Sequence, residues 1–596
     1  MMQVIATAGH VDHGKSTLIR ALTGIEPDRW AEEKRRGLTI DLGFAWTALP
    51  SGRGVSFVDV PGHERFLGNM LAGLGPAPIV CFVVAADEGW QAQSDDHRDA
   101  IAALGIDQGV IAITRADLAP ERVDQVISQV RAELAGTGLA DVPAVPVSAV
   151  TGEGLDELRS ALDEAVAAAR QPSATDRLRL WVDRSFTISG AGTVVTGTLA
   201  AGTLTVGDRL QLHGAERSGG MAVRGLQSRG GPVDQLGPVS RAAVNLRGID
   251  QEQISRGDVL LTPDAWELTD QLDVRGLTGN ALGDAPEELT AHVGTAAVTA
   301  RVRPLGAEHA RLTLDRALPL AVGDRLVLRG SGSRAVYAGV QVLDVDPPAL
   351  DRRGDGARRA DALAQLPLSG DVAVEVRRRG AIRAQLLERR GIEVPDPLPT
   401  GIQPVGQWLV DAEALAGWTE QLREAVAAHA RANPLAAGLP AKSALDSLRL
   451  PDESLLDPVV RAADLEHADG RLRDPRSTQG LGAAEAGVVA LEQRLGEKPF
   501  QAPEAEDLAA WHLGPKELAA AERLGRILRL PDSVVLLPTA PALAMRELAG
   551  LPQPFTTSQA RQALETTRRV AIPLLEHLDS RGWTRRVDAG HRKIVR

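Results

Sequence analysis

Short apolar runs alternate with amphipathic stretches over roughly the first third of the chain. The runs VIATAG, VSFVDV, IVCFVVAA, VIAITRA and AVPVSA are nearly continuous in apolar residues, as is typical of strands buried on both faces of a sheet. Strands that alternate with helices indicate a doubly wound parallel sheet. The pattern therefore predicts an α/β domain at residues 1–172, followed by the polar linker QPSATD.

Beyond this linker the chain becomes rich in Val, Thr, Leu and Gly, with turn residues about every eight to twelve positions. Short strands at this spacing are typical of small antiparallel β-barrels. GTLTVGDRLQL and RALPLAVGDRLVL repeat one local unit, a turn followed by Gly-Asp and a strand. We predict one barrel at 176–265 and a second at 266–348.

The last part of the chain has a third pattern of composition and predicted elements. After the polar break PPALDRRGDGARRAD, helices rich in Ala, Leu and Glu alternate with short strand pairs such as DGRLRD, LGRILRL and RGWTRRV. Helices that close on a two-stranded hairpin are typical of winged-helix modules, and a helical bundle is the alternative. We predict four modules, at 360–432, 433–480, 481–540 and 541–596.

Composition narrows the class of protein. The 596 residues are 44% hydrophobic and 24% charged, and they contain no apolar run long enough to span a membrane. The start of the chain lacks the basic segment of a signal peptide. We therefore expect a cytoplasmic protein with no membrane partner. The single cysteine, Cys81, lies in a strand-like run and excludes an intrachain disulfide or a Cys-based metal site.

Charge is unevenly distributed along the chain. The net charge of -12 argues against a protein that coats nucleic acid along its whole length. Residues 551–596, however, carry nine Arg or Lys side chains and only four acidic ones. Such asymmetry favours a basic end that contacts a polyanion.

The first strand leads into a phosphate-binding motif. GHVDHGKS matches G-x-x-x-x-G-K-[ST] directly before the helical stretch STLIRALTG. In this motif, backbone N–H groups surround the β-phosphate, Lys15 meets the β- and γ-phosphate oxygens, and the Ser16 hydroxyl ligates Mg²⁺. We expect phosphate contacts from Gly9, His10, Val11, Asp12, His13, Gly14, Lys15, Ser16 and Thr17.

Two further segments complete the expected phosphate site. VDVPGH supplies Asp59, which can hold the water shell of the metal, and Gly62, whose N–H can sense the γ-phosphate. EEKRRGLTID offers Thr39 as a second Mg²⁺ ligand, in a loop that only the γ-phosphate orders. His63 is the expected catalytic residue because a water-orienting group is needed beside the γ-phosphate; a structural histidine is the alternative.

The segment TRAD indicates which base is bound. Asp117 can accept hydrogen bonds from N1 and N2 of guanine, a donor pair that adenine lacks, and SAVTGEG brings Ser148 and Ala149 beneath the base. The usual GTPase pattern is Asn-Lys-x-Asp, so Thr114 and Arg115 are departures that put affinity in question. An arginine can still stack on the base plane. The expected ligands are GTP and GDP with Mg²⁺.

GHVDHGKS, EEKRRGLTID, DVPGHERF and GTVVTG occur in this order. On these motifs the sequence resembles the translational GTPases, and most closely the tRNA-carrying elongation factors, over about residues 1–348. The predicted fold class is therefore multidomain, with an α/β P-loop GTPase domain, two antiparallel β-barrels and an α+β array of winged-helix domains. General elongation factors end after the second barrel, whereas this chain continues.

The extension, together with RGLTIDLGFAW, DRSFTISGAGTVVTGT and LLEHLDSRGWTRR, resembles the bacterial selenocysteine-specific elongation factors. The resemblance implies a monomeric GTPase that delivers selenocysteinyl-tRNA to the ribosome at recoded UGA codons while its C-terminal end binds an mRNA hairpin. Three alternatives stay open: a regulatory GTPase subunit of a sulfate-activating enzyme, a general tRNA-carrying factor, and a DNA-binding regulator. The first of these predicts no basic C-terminal segment.

The resemblance also implies an aminoacyl pocket. Arg184 and Arg241 correspond to its two cations, and Asp183 would orient one of them. A selenol is more acidic than a thiol, whose pKa is about 8.5, so selenocysteine is an anion at neutral pH. A guanidinium favours that anion over the neutral serine of its precursor. An internal Asp–Arg pair on the rim of the barrel is the alternative.

The last module predicts an RNA-binding surface. FTTSQARQALETTRRVAIPLLEHLD indicates two short helices and WTRRVDAGHRKIV a hairpin. Cations at a helix start and on the hairpin suit the positioning of phosphates; a basic face with no ligand is the alternative. The expected mRNA contacts are Arg568, Arg569, Arg585, Arg586 and Arg592.

Overall fold

The chain folds as an α/β domain, two antiparallel barrels and a series of small helical modules with short sheets. The structure is a computed structural model and describes residues 2–27, 39–190, 192–330, 335–476 and 480–595. Two compact units share these elements: residues up to 374 with 383–398, and residues 375–382 with those from 399 onwards.

The α/β domain is a six-stranded sheet with helices between its strands. Its elements are β1 (Met2–Ala8), α1 (Lys15–Thr23), β2 (Gly43–Ala48), β3 (Gly54–Asp59), α2 (Leu67–Leu74), β4 (Ile79–Ala85), α3 (Ala92–Leu104), β5 (Gln108–Thr114), α4 (Val123–Glu133), β6 (Ala144–Pro146) and α5 (Leu155–Ala168). The strand order is β2-β3-β1-β4-β5-β6, and only β2 pairs antiparallel. The carboxyl ends of parallel strands meet at one edge, where ligands bind in such sheets.

The first barrel closes because β10 pairs with β11 as well as with β15. The strands of this barrel are β7 (Arg179–Ile188), β8 (Gly192–Leu199), β10 (Arg209–His213), β11 (Ser218–Ser228), β12 (Gly231–Val233), β14 (Ser240–Arg247) and β15 (Val259–Leu261). The strands β9 (Leu204–Thr205) and β13 (Gln235–Leu236) pair with each other in a separate two-stranded sheet. On β14 buried residues alternate with half-buried ones, so Arg241 points away from the barrel core.

The second barrel is closed and antiparallel, in the order β16-β19-β18-β17-β20-β21. The strands run β16 (Thr269–Gly279), β17 (Glu288–Val293), β18 (Ala296–Pro304), β19 (His309–Leu318), β20 (Arg325–Gly330) and β21 (Val336–Asp344). The α/β domain, the two barrels and the modules that follow confirm the predicted fold class.

The remaining helices and strands form the winged-helix part. They are α6 (Asp355–Gln365), α7 (Val372–Arg379), β22 (Ala381–Arg383), α8 (Ala384–Arg389), β23 (Ile402–Val405), β24 (Trp408–Asp411), α9 (Ala412–Ala432), β25 (Leu439–Pro440), α10 (Ala441–Leu448), α11 (Leu456–Ala462), β26 (Glu466–Ala468), β27 (Arg471–Arg473), α12 (Glu485–Glu497), α13 (Ala505–Ala510), α14 (Pro515–Arg523), β28 (Leu528–Leu530), β29 (Val534–Leu536), α15 (Ala540–Ala549), β30 (Phe555–Thr556), α16 (Thr557–Ala563), α17 (Arg568–Ser580), β31 (Thr584–Arg586) and β32 (His591–Ile594). Their short sheets are β22-β24-β23, β25-β27-β26, β28-β29 and β30-β32-β31.

Two of the predicted module boundaries differ from the packing. The start predicted at 360 falls inside α6, whose Leu363 and Leu366 pack against Leu305 and Leu343 of the second barrel. The helix therefore packs on the second barrel through a small apolar cluster that is separate from the barrel core.

The boundary predicted between 432 and 433 follows α9, a helix of 21 residues. Leu422 and Val426 of this helix pack with Val459 and Leu472 of the second module. The apolar face of the helix is therefore buried against the module that comes next.

Among the described residues, none of the helices combines the length and the hydrophobicity that crossing a membrane requires.

Candidate functional site

The loop from Gly9 to Gly14 connects β1 to α1, which begins at Lys15, at the carboxyl edge of the sheet. Gly9 has φ of +122°, and a Cβ at this position would lie 2.1 Å from the Val83 carbonyl oxygen, so only glycine fits. The Lys15 side chain is buried, and its Nζ donates to the carbonyl oxygens of Gly9 at 2.9 Å and His10 at 2.8 Å. The loop therefore closes around a fixed ammonium group.

The three residues predicted to hold a metal lie together. Ser16 Oγ donates to Asp59 Oδ2 at 2.7 Å and lies 3.0 Å from Thr39 Oγ1. The other Asp59 oxygen accepts from Thr7 Oγ1 at 2.7 Å, which fixes the rotamer of the carboxylate. Two hydroxyls and a carboxylate are the oxygen ligands that Mg²⁺ prefers, so these residues fit that ion.

Gly62 and His63 lie on the segment between β3 and α2. A Cβ on Gly62 would come within 2.5 Å of Lys15 Nζ and 2.6 Å of the Val11 backbone. The Gly62 backbone is therefore in close contact with the phosphate loop. His63 is half-buried, and its Nδ1 accepts from the Arg65 N–H at 3.2 Å.

A cavity of about 770 Å³ joins the phosphate loop to the predicted base site. Its lining includes these predicted residues: Val11, Asp12, Gly14, Lys15, Ser16, Thr17, Thr114, Arg115, Asp117, Ser148 and Ala149. The His13 ring instead lies buried with its Nδ1 3.3 Å from the Val83 carbonyl oxygen. Burial lowers the pKa of His13 to about 3, and the nearby His10 acts in the same direction.

The two departures from the usual guanine motif both brace the phosphate loop. Thr114 Oγ1 donates to the His13 carbonyl oxygen at 2.7 Å. The Arg115 guanidinium pairs with Asp87 at 3.0 Å and Glu88 at 2.8 Å, and it also donates to the Asp12 carbonyl oxygen. The Arg115 guanidinium thus holds the phosphate loop against Asp87 and Glu88, and its donors are used within the protein.

His97 on α3 is a site residue that sequence reasoning missed. Its Nδ1 accepts from the Gly9 N–H at 3.2 Å, and its ring also forms a hydrogen bond with the Gly62 backbone. Burial lowers the pKa of His97 to about 3, the charge of Lys15 adds to this effect, and the bond with Gly62 opposes it. The neutral ring therefore connects the phosphate loop to the segment expected to sense the γ-phosphate. The available signal was a histidine at a buried position of an otherwise polar helix start.

The three predicted pocket residues also lie together. Asp183 receives two hydrogen bonds from the Arg241 guanidinium and a third from Thr196 Oγ1 at 2.6 Å. Arg184 and Arg241 both line a small cavity of about 160 Å³. Phe44 of β2 lines it too, with its ring 4.0 Å from the Arg241 guanidinium carbon.

Two partners of this pocket were also missed. Asp41 accepts from Arg184 Nη2 at 2.8 Å and from Arg256 Nη2 at 2.6 Å. Asp41 is 143 residues from Arg184 in the chain, so no local pattern predicts the contact.

The last module presents a groove of about 410 Å³ between α16, the start of α17 and the hairpin. Arg561, Arg568 and Arg586 line it. Arg568 and Arg586 are exposed, and Arg586 pairs with Glu576 at 2.9 Å. Arg585 is also exposed and lies opposite Lys593 on the hairpin. Arg561 was not among the predicted contacts.

Two of the arginines predicted to contact mRNA are engaged within the protein. Arg592 is 6% exposed, with Nε donating to Asp579 at 2.9 Å and Nη1 to Thr557 Oγ1 at 3.2 Å. Its side chain also lines the groove, so the mRNA contact of Arg592 stays a prediction, made for a guanidinium that the protein already engages. Arg569 donates to the carbonyl oxygens of Ala502 and Pro503 and pairs with Glu504 at 2.9 Å. It connects the third and fourth modules.

Four family descriptions match the chain in order. Residues 1–168 match the Elongation factor Tu GTP binding domain, and residues 192–261 match Elongation factor Tu domain 2. Residues 273–349 match the β-barrel domain of the selenocysteine-specific elongation factor, and residues 546–592 match the winged helix of elongation factor SelB.

Whole-chain relatives agree with these matches. The chain is 33% identical to the selenocysteine-specific elongation factor of Escherichia coli, over 99% of this chain and 98% of that protein. It is 30% identical to the one from Desulfomicrobium baculatum, over the full length of both.

Solved structures show the same fold. The crystal structure of a bacterial selenocysteine-specific elongation factor, EF-Sec, matches all of both chains with a TM-score of 0.79 at 24% identity. The Methanococcus maripaludis SelB bound to a GTP analogue matches 58% of this chain and 79% of that one, with a TM-score of 0.51 at 24% identity.

Proposed function

The chain belongs to the selenocysteine-specific elongation factors, and we propose that its GTP-bound form carries selenocysteinyl-tRNA to the ribosome at UGA codons marked by an mRNA hairpin. The observation that most supports this role is that Arg184 and Arg241 line one cavity of about 160 Å³. A cavity of this size accommodates an amino-acid side chain rather than a drug-sized ligand.

The charge of the cavity favours selenocysteine over serine. The selenolate is an anion at neutral pH, and charge-assisted hydrogen bonds from a guanidinium are about twice as strong as neutral ones. A serine hydroxyl offers no charge and leaves guanidinium donors unpaired, which is costly in a half-buried site. Asp183 is committed to Arg241 by two hydrogen bonds, so it holds that cation in place.

Guanine nucleotide binds in the cavity of about 770 Å³ that joins the phosphate loop to Asp117. Lys15 and the loop N–H groups hold the phosphates, and the Asp117 carboxylate accepts from the guanine N1 and N2 donors. Ser16, Thr39 and Asp59 would hold Mg²⁺, which neutralises charge on the transferring phosphoryl group.

The family is one of translational GTPases, and His63 is our candidate for the residue that orients the attacking water. It follows Gly62 directly, on the segment whose backbone packs against Lys15. Positioning a nucleophile in this way needs no covalent intermediate, since phosphoryl transfer depends mainly on geometry and charge stabilisation. We propose that hydrolysis takes place on the ribosome and releases the tRNA.

The groove of the last module is the proposed mRNA site. Arg561, Arg568 and Arg586 line it, with the hydroxyls of Thr557 and Ser558 beside them. Cations position phosphates, and a groove can accept an unstacked base from a hairpin loop. The exposed Arg585 and Lys593 extend the basic surface along the hairpin.

The decisive experiment compares one tRNA charged with selenocysteine or with serine. With a non-hydrolysable GTP analogue, we expect the full-length protein to bind the selenocysteinyl form at least about tenfold more tightly, because a desolvated charge-assisted bond contributes about 1.5–3 kcal/mol. Arg184→Ala should remove most of this preference while leaving GTP affinity unchanged. Equal affinity of the wild-type protein for both aminoacyl forms would rule out the pocket.

A further inference from the structure

The segment immediately after Thr39 is held at three successive residues. The Ile40 carbonyl oxygen accepts from Asn69 Nδ2 at 2.9 Å, and Asn69 lies on α2 just beyond Gly62 and His63. Asp41 accepts from Arg184 and Arg256, and the Leu42 carbonyl oxygen accepts from Arg184 Nη2 at 3.2 Å. The segment thus connects the metal-binding residues to the barrel that carries the pocket.

Arg256 extends this connection on the barrel side. Its Nε donates to the Asp183 carbonyl oxygen at 2.9 Å, and its Nη1 donates to Asn69 Oδ1 at 2.5 Å. One guanidinium therefore contacts the pocket, α2 and, through Asp41, the segment after Thr39. Two segments are expected to sense the γ-phosphate, one at Thr39 and one at Gly62. Arg256 is connected to the first through Asp41 and to the second through Asn69.

Chain geometry couples Thr39 to Asp41. The two residues are two positions apart, so their Cα atoms are separated by at most about 7 Å. If Thr39 leaves Ser16 and Asp59, Asp41 cannot keep its place between Arg184 and Arg256 without strain. Because Asp41 holds one terminal nitrogen of Arg184, its departure also frees the Arg184 side chain to rotate.

The charges of the cluster favour an anion in the cavity. Asp41 and Asp183 are ion-paired with Arg184, Arg241 and Arg256. Three guanidiniums against two carboxylates leave the ion-paired cluster with one positive charge, and Arg229 adds another cation to the lining of the cavity. Moving Asp41 changes both this balance and the orientation of Arg184.

Building on the proposed function, we propose that Asp41 makes selenocysteine recognition depend on the bound nucleotide. With Thr39 beside Ser16 and Asp59, the Asp41 carboxylate orients Arg184 towards the cavity. When Thr39 is elsewhere, Asp41 releases Arg184, and the pocket loses its preference for an anion. Asp41 is thus a positioning residue that acts through Arg184.

The test measures discrimination, defined as the Kd for the seryl-tRNA divided by the Kd for the selenocysteinyl-tRNA. It is measured on the full-length protein with a non-hydrolysable GTP analogue and again with GDP. In the wild type, discrimination should be at least about tenfold greater with the analogue, a typical allosteric coupling. In Asp41→Asn it should be the same with both nucleotides, to within about twofold.

Two controls separate this role from general damage. Asp163→Asn removes a carboxylate that binds Ser51 and Arg53 elsewhere on the α/β domain and should retain nucleotide-dependent discrimination. Arg256→Gln removes the other partner of Asp41 and should weaken the dependence in the same direction, which tests the inference even if Asp41→Asn folds poorly. Because such coupling is reciprocal, Asp41→Asn and Arg256→Gln should both weaken binding of the GTP analogue relative to GDP, whereas Asp163→Asn should leave this ratio unchanged.

The outcomes distinguish the inference from the function on which it rests. If the wild type fails to prefer selenocysteinyl-tRNA with the GTP analogue, the proposed pocket is wrong. If the wild type does prefer it but Asp41→Asn keeps the nucleotide dependence, Asp41 is not the coupling residue. Equal wild-type discrimination with GDP and with the analogue also overturns the coupling and leaves the pocket standing.

Discussion

At the scale of single residues, His97 offers a direct test of how the phosphate loop is held. The buried Gly9 N–H donates to His97 Nδ1, and leaving such a donor without an acceptor costs about 1–3 kcal/mol. We therefore expect His97→Ala to weaken binding of both GTP and GDP by about tenfold or more. His97→Gln, which keeps an acceptor in the side chain, should recover part of the loss in equilibrium titrations.

The pH dependence of the same residue has a definite sign. The pKa of His97 in the folded protein is about 3, against 6.5 for the free side chain. Above pH 6.5 the ring is neutral in both states and adds no pH dependence. Between about pH 6.5 and 3 only the unfolded chain binds the proton, so stability falls as pH falls. The check is the nucleotide affinity of the wild type measured as a function of pH. If protonation of His97 near pH 6.5 changed this affinity, His97 would not be the neutral, buried acceptor described here.

The residues that sequence reasoning found and missed differ in how local their roles are. Lys15 and Ser16 act within one loop, and a short motif is enough to predict them. His97 acts on Gly9 from 88 residues away, and Asp41 acts on Arg184 across the junction with a barrel. Such partners exist only after the domains have packed, so no spacing along the chain encodes them.

At the scale of elements, the β31–β32 hairpin carries both exposed arginines and a buried one. Arg585 pairs across the hairpin with Lys593, and Arg586 pairs with Arg592. Both residues of the first pair are exposed. In the second pair Arg586 is exposed, whereas Arg592 is buried against Asp579. A count of basic residues along the sequence predicts a basic surface on this module, but it does not tell which of the arginine side chains are exposed on that surface.

This difference predicts opposite effects for two alanine substitutions. Arg568→Ala removes an exposed cation from the groove, so we expect weaker hairpin binding, a salt dependence shallower by about one ion, and an unchanged Tm. Arg592→Ala removes the buried partner of Asp579 and should destabilise the module by about 1–3 kcal/mol. Thermal melts and hairpin titrations at several salt concentrations measure both effects. An unchanged salt slope in Arg568→Ala would place the RNA elsewhere.

At the scale of the whole molecule, the third and fourth modules share one core. Val488 and Leu491 of α12, Phe555 of β30 and Leu574 of α17 belong to a single cluster of buried residues. Arg569 adds hydrogen bonds across the same junction. The second module has a separate core, formed by α9, α10, α11 and β27. The last two modules should therefore fold and unfold as one cooperative unit.

That packing predicts how truncations behave. A chain ending at residue 550 keeps Val488 and Leu491 but loses Phe555 and Leu574, so it exposes apolar surface and should aggregate or bind a hydrophobic dye. A chain ending at residue 476 stops before this core begins. It should remain monodisperse in size-exclusion chromatography, lose hairpin binding, and keep the tRNA affinity of the full-length protein, because the pocket residues all precede residue 257. A monodisperse, cooperatively folded chain ending at residue 550 would show instead that the third module needs no partner, and the basic end would then be an independently attached RNA-binding domain.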